Sequence, residues 1–285
     1  MIIDNNSSDN TREVVKEYEM RLPLFYLRES RPGKNCALNK AIRECSLKDI
    51  VVFTDDDVTP AQNWFQEIVS SVKKWPGIAV FGGKIELLWP DNKQPQWAIA
   101  DWMMPFAFSR HLYAEGEAFY RPPDCPFGPN CWVRKVVFQK VPFFDETIGP
   151  RPQNRIMGSE TSFLLDLRRH GFEMLYYPGA EVYHRILPKA CTLPGVRRRA
   201  YTYGRGRTRL YGWYRRNIYL KNRILWCMLL VTDEFYNISR FLSGFALGDS
   251  KRNCERTVSA MITFGQIHET ANQVFKRFLA KMTQN

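Results

Sequence analysis

The chain of 285 residues opens with no cationic segment leading into an apolar run, so no signal peptide is expected. No stretch reaches the roughly 18 uncharged apolar residues of a membrane-spanning helix. The longest apolar cluster, Ile224 to Val231, stops at eight residues, long enough to lie on a membrane but not to cross one. No C-x-x-C pair occurs. The seven cysteines, Cys36, Cys45, Cys125, Cys131, Cys191, Cys227 and Cys254, are scattered and odd in number, which argues against a disulfide framework or zinc site and fits a reducing cytoplasm. Acidic residues are missing altogether from Arg185 to Arg223, 39 residues that hold twelve Lys and Arg. The chain has 41 basic and 29 acidic side chains, so the rest is balanced at 29 of each and this block carries the entire net charge of +12. Such a block argues for an anionic partner, which by composition is phosphate, nucleic acid or acidic lipid. There is no internal repeat and no low-complexity segment.

What is present suits a folded core: 45% of residues are hydrophobic and 14% aromatic. Met1 to Asp4 reads as a strand, Asp4 to Thr11 as a turn, and the residues through Val14, Val15 and Tyr18 as a capped helix. Pro23 to Leu27 predicts a second strand, Arg31 to Asn35 a loop, and Ala37 to Cys45 a helix with Leu38 and Ile42 on one face. Asp49 to Thr54 is an almost continuous apolar run, as expected of a strand buried on both faces. Phe81 to Leu88 predicts another strand and Pro90 to Pro126 a long irregular excursion. Trp132 to Val141 is read as a helix, Glu160 to His170 as an amphipathic helix, Phe172 to Tyr177 as a strand ending at Pro178, and the tail beyond Asn222 as two or three helices. Alternating strands and helices imply an α/β fold with an open, mostly parallel sheet, whose ligands bind beyond the carboxyl ends of the strands.

Two acidic clusters fall at such ends, Asp4 and Asp55-Asp56-Asp57. Like charges crowded at a sheet edge call for a cation, and Mg²⁺ or Mn²⁺ held by Asp55 and Asp57 would bridge a diphosphate; the same triplet also suits a solvated turn or helix cap. His184, at a strand end, suits either a ligand of that metal or a structural histidine. Glu160 follows Gly158-Ser159 at a helix start, where the dipole favours its carboxylate, whether as general base or only as helix stabiliser. Arg31, Lys34 and Asn35 surround Gly33 in a loop placed for nucleotide or phosphate contacts. Between Arg197 and Arg216, arginines alternate with aromatic rings, a mixture that suits lipid headgroups and nucleic acid alike.

In their order along the chain these segments resemble the family-2 glycosyltransferases of the GT-A fold, from Met1 to about His184. IIDNNSSDNT resembles the nucleoside-binding strand end, RPGKNCALNKAI the G-x-x-x-A-x-N loop and helix, and FTDDDVTP the D-x-D metal motif. GPNCWVRKVVFQKVPFFDETIGP resembles the stretch before the catalytic helix, and GSETSFLLDLRRHGFEMLYYPGAEVYH the base-bearing helix, strand and terminal histidine. The resemblance implies Glu160 as catalytic base, Mn²⁺ or Mg²⁺ at Asp55, Asp57 and His184, donor contacts from Asp4, Lys34 and Asp56, and acceptor contacts from Asn130 and Trp132. It implies inverting transfer from a UDP- or GDP-linked sugar to a glycan, polysaccharide or lipid-linked hydroxyl. Two departures stand out: Glu160 falls where the family has the Asp of a Glu-Asp pair, with Ser159 in place of the Glu, and the family's first strand and helix are not in the sequence. Residues 1–190 are expected to form this domain, and 191–285 a basic aromatic segment with a helical tail that docks a cytoplasmic enzyme on an anionic membrane surface. The competing reading, from another class, is an inactive remnant or anion-binding module whose Arg-rich segment binds nucleic acid. It is less favoured, because such binding needs no D-x-D, Glu160 and His184 together.

Overall fold

The structure, a computed structural model, describes residues 1–95, 100–151, 154–219 and 250–282. In chain order its elements begin with β1 (Ile2–Asp4), α1 (Thr11–Glu19), β2 (Tyr26–Arg28), α2 (Lys34–Glu44), β3 (Ile50–Phe53), β4 (Val58–Pro60) and α3 (Trp64–Lys74). There follow β5 (Val80–Leu88), α4 (Met104–Phe108), β6 (Ala118–Phe119), β7 (Cys131–Arg134), α5 (Ser159–Arg169), β8 (Met174–Arg185), α6 (Leu193–Tyr219) and α7 (Ser250–Met282). The apolar cluster Ile224 to Val231, and with it the part of the expected helical tail before α7, lies outside the described residues.

The chain divides into two compact units, but not at one boundary near residue 190. The first holds Met1–Asp55, Gln62–Lys84 and Tyr113–Ala180; the second holds Asp56–Ala61, Ile85–Leu112 and Glu181–Asn285. The excursion after β5 belongs with the C-terminal helices because its apolar side chains do: Met103, Met104, Phe106 and Phe108 share one core with Val196 and Ala200 of α6 and Cys254 and Val258 of α7.

In the first unit β1 and β2 pair in parallel, while β7 pairs antiparallel with both β3 and β5. The β3-β7-β5 ladder is therefore antiparallel: β3 and β5 run the same way because the reversed β7 lies between them. The expected helix at Trp132 to Val141 is instead β7 followed by a 3₁₀ turn, Lys135–Gln139. Two flanking strands override a helical spacing of Val133, Val136 and Val137. β3 is half-buried rather than buried on both faces, because it lies at the edge of its sheet. Nor does β8 end at Pro178. It pairs with β6 through Leu175 and Tyr176 and with β4 through Val182 to His184, so the missing N–H of Pro178 falls where neither is opposite. Leu38 and Ile42 of α2 pack, as expected, on a core that includes Val133, Phe163, Leu164 and Leu167.

In the second unit α6 and α7 cross closely. A Cβ at Gly204 would lie 1.9 Å from the Ile262 carbonyl oxygen, and one at Gly265 would lie 2.1 Å from that of Tyr201. Beside this crossing, Arg205 and Arg209 both pair with Glu269, which is fully buried. Arg199 donates to the Phe106 carbonyl and to Ser109 Oγ. Part of the basic block is thus engaged within the fold: among its described residues Arg205 is buried and Arg197, Arg199 and Arg209 are half-buried, while Arg185, Lys189, Arg198 and Arg207 are exposed. No helix among the described residues is long and apolar enough to cross a membrane. The six described cysteines are free.

Candidate active site

Gly33 and Gly158 adopt φ +132° and +108°, a region that side chains disfavour, and each immediately precedes a helix that carries a charged residue in its first turn. The glycine before α2 presents Lys34, and the one before α5 presents Glu160. Lys34 Nζ lies 2.6 Å from Asp55 Oδ1 at the end of β3 and 2.5 Å from Glu160 Oε1. Burial works against the Lys34 charge, but Glu160 and Asp55 outweigh it and raise its pKa. Burial likewise pushes the Glu160 carboxyl up, yet the Lys34 ammonium and its hydrogen bond hold it below the usual range. One ammonium thus serves two carboxylates, and Glu160 stands ionised and ready to accept a proton.

Long-range pins hold this arrangement. Asn35 Nδ2 donates to the carbonyls of Asp145 and Ile148, and Asn35 Oδ1 accepts from Ser159 Oγ. Asn39 bonds the Phe144 backbone through both ends of its amide. The start of α2 is thereby tied to the loop before α5 and to the residue beside Glu160. Sequence reasoning named Asn35 only as a nucleotide or phosphate contact and gave Asn39 no role; the G-x-x-x-A-x-N spacing marks Asn39, whereas Asn35 falls at one of its open positions. Arg31 is engaged by Glu29 and Glu146.

In the second unit His184 Nε2 lies 3.2 Å from Asp57 Oδ2, and His184 Nδ1 lies 2.6 Å from the Phe108 carbonyl. A neutral ring donating from Nδ1 turns the Nε2 lone pair toward the carboxylate. Two acceptors facing each other require positive charge between them, a proton or a cation. The pair suits a divalent ion that draws its other ligands from phosphate and water. Among the described residues no group of three or more His, Cys, Asp or Glu side chains forms a ready metal cage. Asp55, expected beside Asp57, has its Oδ1 on Lys34. Asp56 is exposed, and its carbonyl accepts from Arg185.

Asp4 is buried at the end of β1, where one carboxylate oxygen accepts from Ser7 N at 2.7 Å and the other from Tyr26 OH at 2.6 Å. Asn130 and Trp132 do not fit the acceptor role the resemblance implied, because both are fully buried. The Asn130 amide accepts from Trp64 Nε1 and donates to the carbonyls of Lys84 and Ala180. Trp132 stacks on Phe81 and donates to Ser71 Oγ. Replacing Asn130 by alanine is expected to lower unfolding free energy by about 1–3 kcal/mol, because three buried groups lose their partner. Denaturant titration checks this, and unchanged stability with weakened acceptor use would restore the acceptor role.

An α/β fold with a central sheet flanked by helices, carboxylates at strand ends and an acidic residue in the first turn of α5 places the chain in the GT-A class of fold. Residues 1–140, just under half of the chain, match the model of Glycosyl transferase family 2. It is 27% identical over 94 residues, 32% of this chain and 30% of the relative, to glycosyltransferase AglE of Haloferax volcanii. An uncharacterized protein of Sinorhizobium fredii, y4gI, is 28% identical over 167 residues, 55% of this chain and 18% of that protein. The chain therefore spans less than a third of the curated relatives it matches. Among solved structures, mannosyltransferase PcManGT from Pyrobaculum calidifontis, in complex with GDP-Man and Mn²⁺, superposes with a TM-score of 0.57. That likeness covers 94% of this chain and 76% of the other at 16% identity, a likeness of fold.

Proposed function

We propose that this chain transfers a sugar from a UDP- or GDP-linked donor to a hydroxyl of a glycan or lipid-linked acceptor, with inversion at the anomeric carbon. The carrying observation is the Glu160 carboxylate, ionised at the start of α5 beside the Lys34 ammonium. As the acceptor oxygen bonds to the anomeric carbon, Glu160 takes its proton and the sugar–phosphate bond breaks, leaving the electron pair on the diphosphate. Glu160 acting as the base suits one direct displacement. Lys34 stands next to the base, with a charge that a diphosphate would attract. Asp57 and His184 would hold Mn²⁺ or Mg²⁺, with Asp55 added by the D-x-D motif, and such an ion supplies charge neutralisation for the leaving group. Asp56 faces the donor, and Asp4 shapes the nucleoside side by fixing the turn at Ser7.

Calorimetric titration of UDP and GDP tests this reading. Binding is expected with Mn²⁺, to be lost on chelation, and to weaken by roughly 10- to 100-fold in Asp57→Ala. Binding indifferent to both chelator and substitution would remove the metal assignment.

A further inference from the structure

Gly128 opens the 3₁₀ turn Gly128–Asn130 that leads into β7. Its backbone gives no reason for glycine, since the glycines with positive φ are Gly33, Gly149, Gly158 and Gly171. The reason is space. A Cβ at this position would lie 2.5 Å from both Cδ and Oε1 of Glu160 and 2.7 Å from its Cγ. Oε1 is the same oxygen that meets Lys34 Nζ at 2.5 Å. The carboxylate is held on one side by an ammonium and on the other by a stretch of backbone with no side chain.

We propose that Gly128 is a positioning residue for Glu160: its bare backbone lets the carboxylate sit against Lys34, and any side chain there moves the base away. This rests on Glu160 being the base. The obstacle a methyl group would meet is the end of a flexible side chain, so the substitution is absorbed by the carboxylate and not by the fold. Restoring ordinary contact needs a shift of about 1 Å. A misplacement of that size at a reacting group costs on the order of 100-fold in rate.

The test is a double-mutant cycle on the full chain, combining Gly128→Ala with Glu160→Ala. GDP-mannose and UDP-N-acetylgalactosamine serve as donors, and nucleoside diphosphate release is the readout. Gly128→Ala is expected to lower kcat by roughly 10- to 100-fold, to keep the folded helical signal, and to have no further effect when Glu160→Ala is present. Crystal structures of Gly128→Ala provide an arm that needs no turnover: the Glu160 carboxylate is expected to have left Lys34. An undisplaced carboxylate, or an equal rate loss in both backgrounds, overturns the proposal. Full activity of Glu160→Gln would instead remove Glu160 as the base, while the crystallographic arm still decides whether Gly128 places it.

Discussion

Glu160→Gln lowers sugar transfer by roughly 10²- to 10⁴-fold and leaves the binding of nucleoside diphosphate with Mn²⁺ intact. Glutamine keeps the volume and reach of the side chain beside Lys34 but cannot take a proton from an incoming hydroxyl. The loss therefore falls on kcat, and initial rates paired with calorimetry separate it from a loss of binding. The pH dependence follows from the same contacts. Burial raises the Glu160 carboxyl, Lys34 lowers it by more, and the net shift is downward. A lowered pKa keeps the base ionised at and above the ordinary carboxylate range. The acid limb of the kcat profile accordingly lies below the usual glutamate value, with rate lost as pH falls through it. Retention of the wild-type rate in Glu160→Gln would end the assignment.

Glu269→Ala destabilises the second unit by roughly 3–5 kcal/mol, the cost of breaking a buried ion pair from one side. Glu269 is 0% exposed and meets Arg205 at 2.9 Å, with Arg209 on its other oxygen. Its removal leaves two cations one turn apart on α6 without the carboxylate that α7 supplied. The exposed Arg198 gives the contrast: Arg198→Ala changes stability by no more than about 0.5 kcal/mol. Chemical denaturation followed by helical signal measures both, and equal stability of the two variants would show that the buried triad contributes little.

The parts of the site that were legible in the sequence are those written in local pattern. An apolar run ending in aspartates marked β3 and its terminus, and apolar residues at helical spacing marked the helix that Glu160 opens. His184 was found because a strand pattern precedes it. What stayed hidden depends on partners far along the chain. Asn35 and Ser159 are 124 residues apart, and their hydrogen bond leaves no period in either segment. Gly128 looks like any turn glycine until the Glu160 carboxylate is seen against it. Asn130 and Trp132 sit in a motif-like stretch, but burial, which motif spacing does not encode, gives them to the interior. The Arg-rich block is a related case: composition counts charges, and only the fold reveals that Glu269 and the Phe106 carbonyl hold three of its arginines.

The tight crossing of α6 and α7 also bears on how related chains can be sorted. The obstacle at Gly204 is a main-chain oxygen of Ile262, and at Gly265 one of Tyr201, so no side-chain rearrangement makes room for a larger residue at either place. Gly204-Arg205 on one helix and Gly265 with Glu269 on the other form a two-part fingerprint joining steric fit to charge. The family match ends at residue 140, so the helical pair lies beyond it, and this fingerprint is what a search for the same crossing in other chains would use.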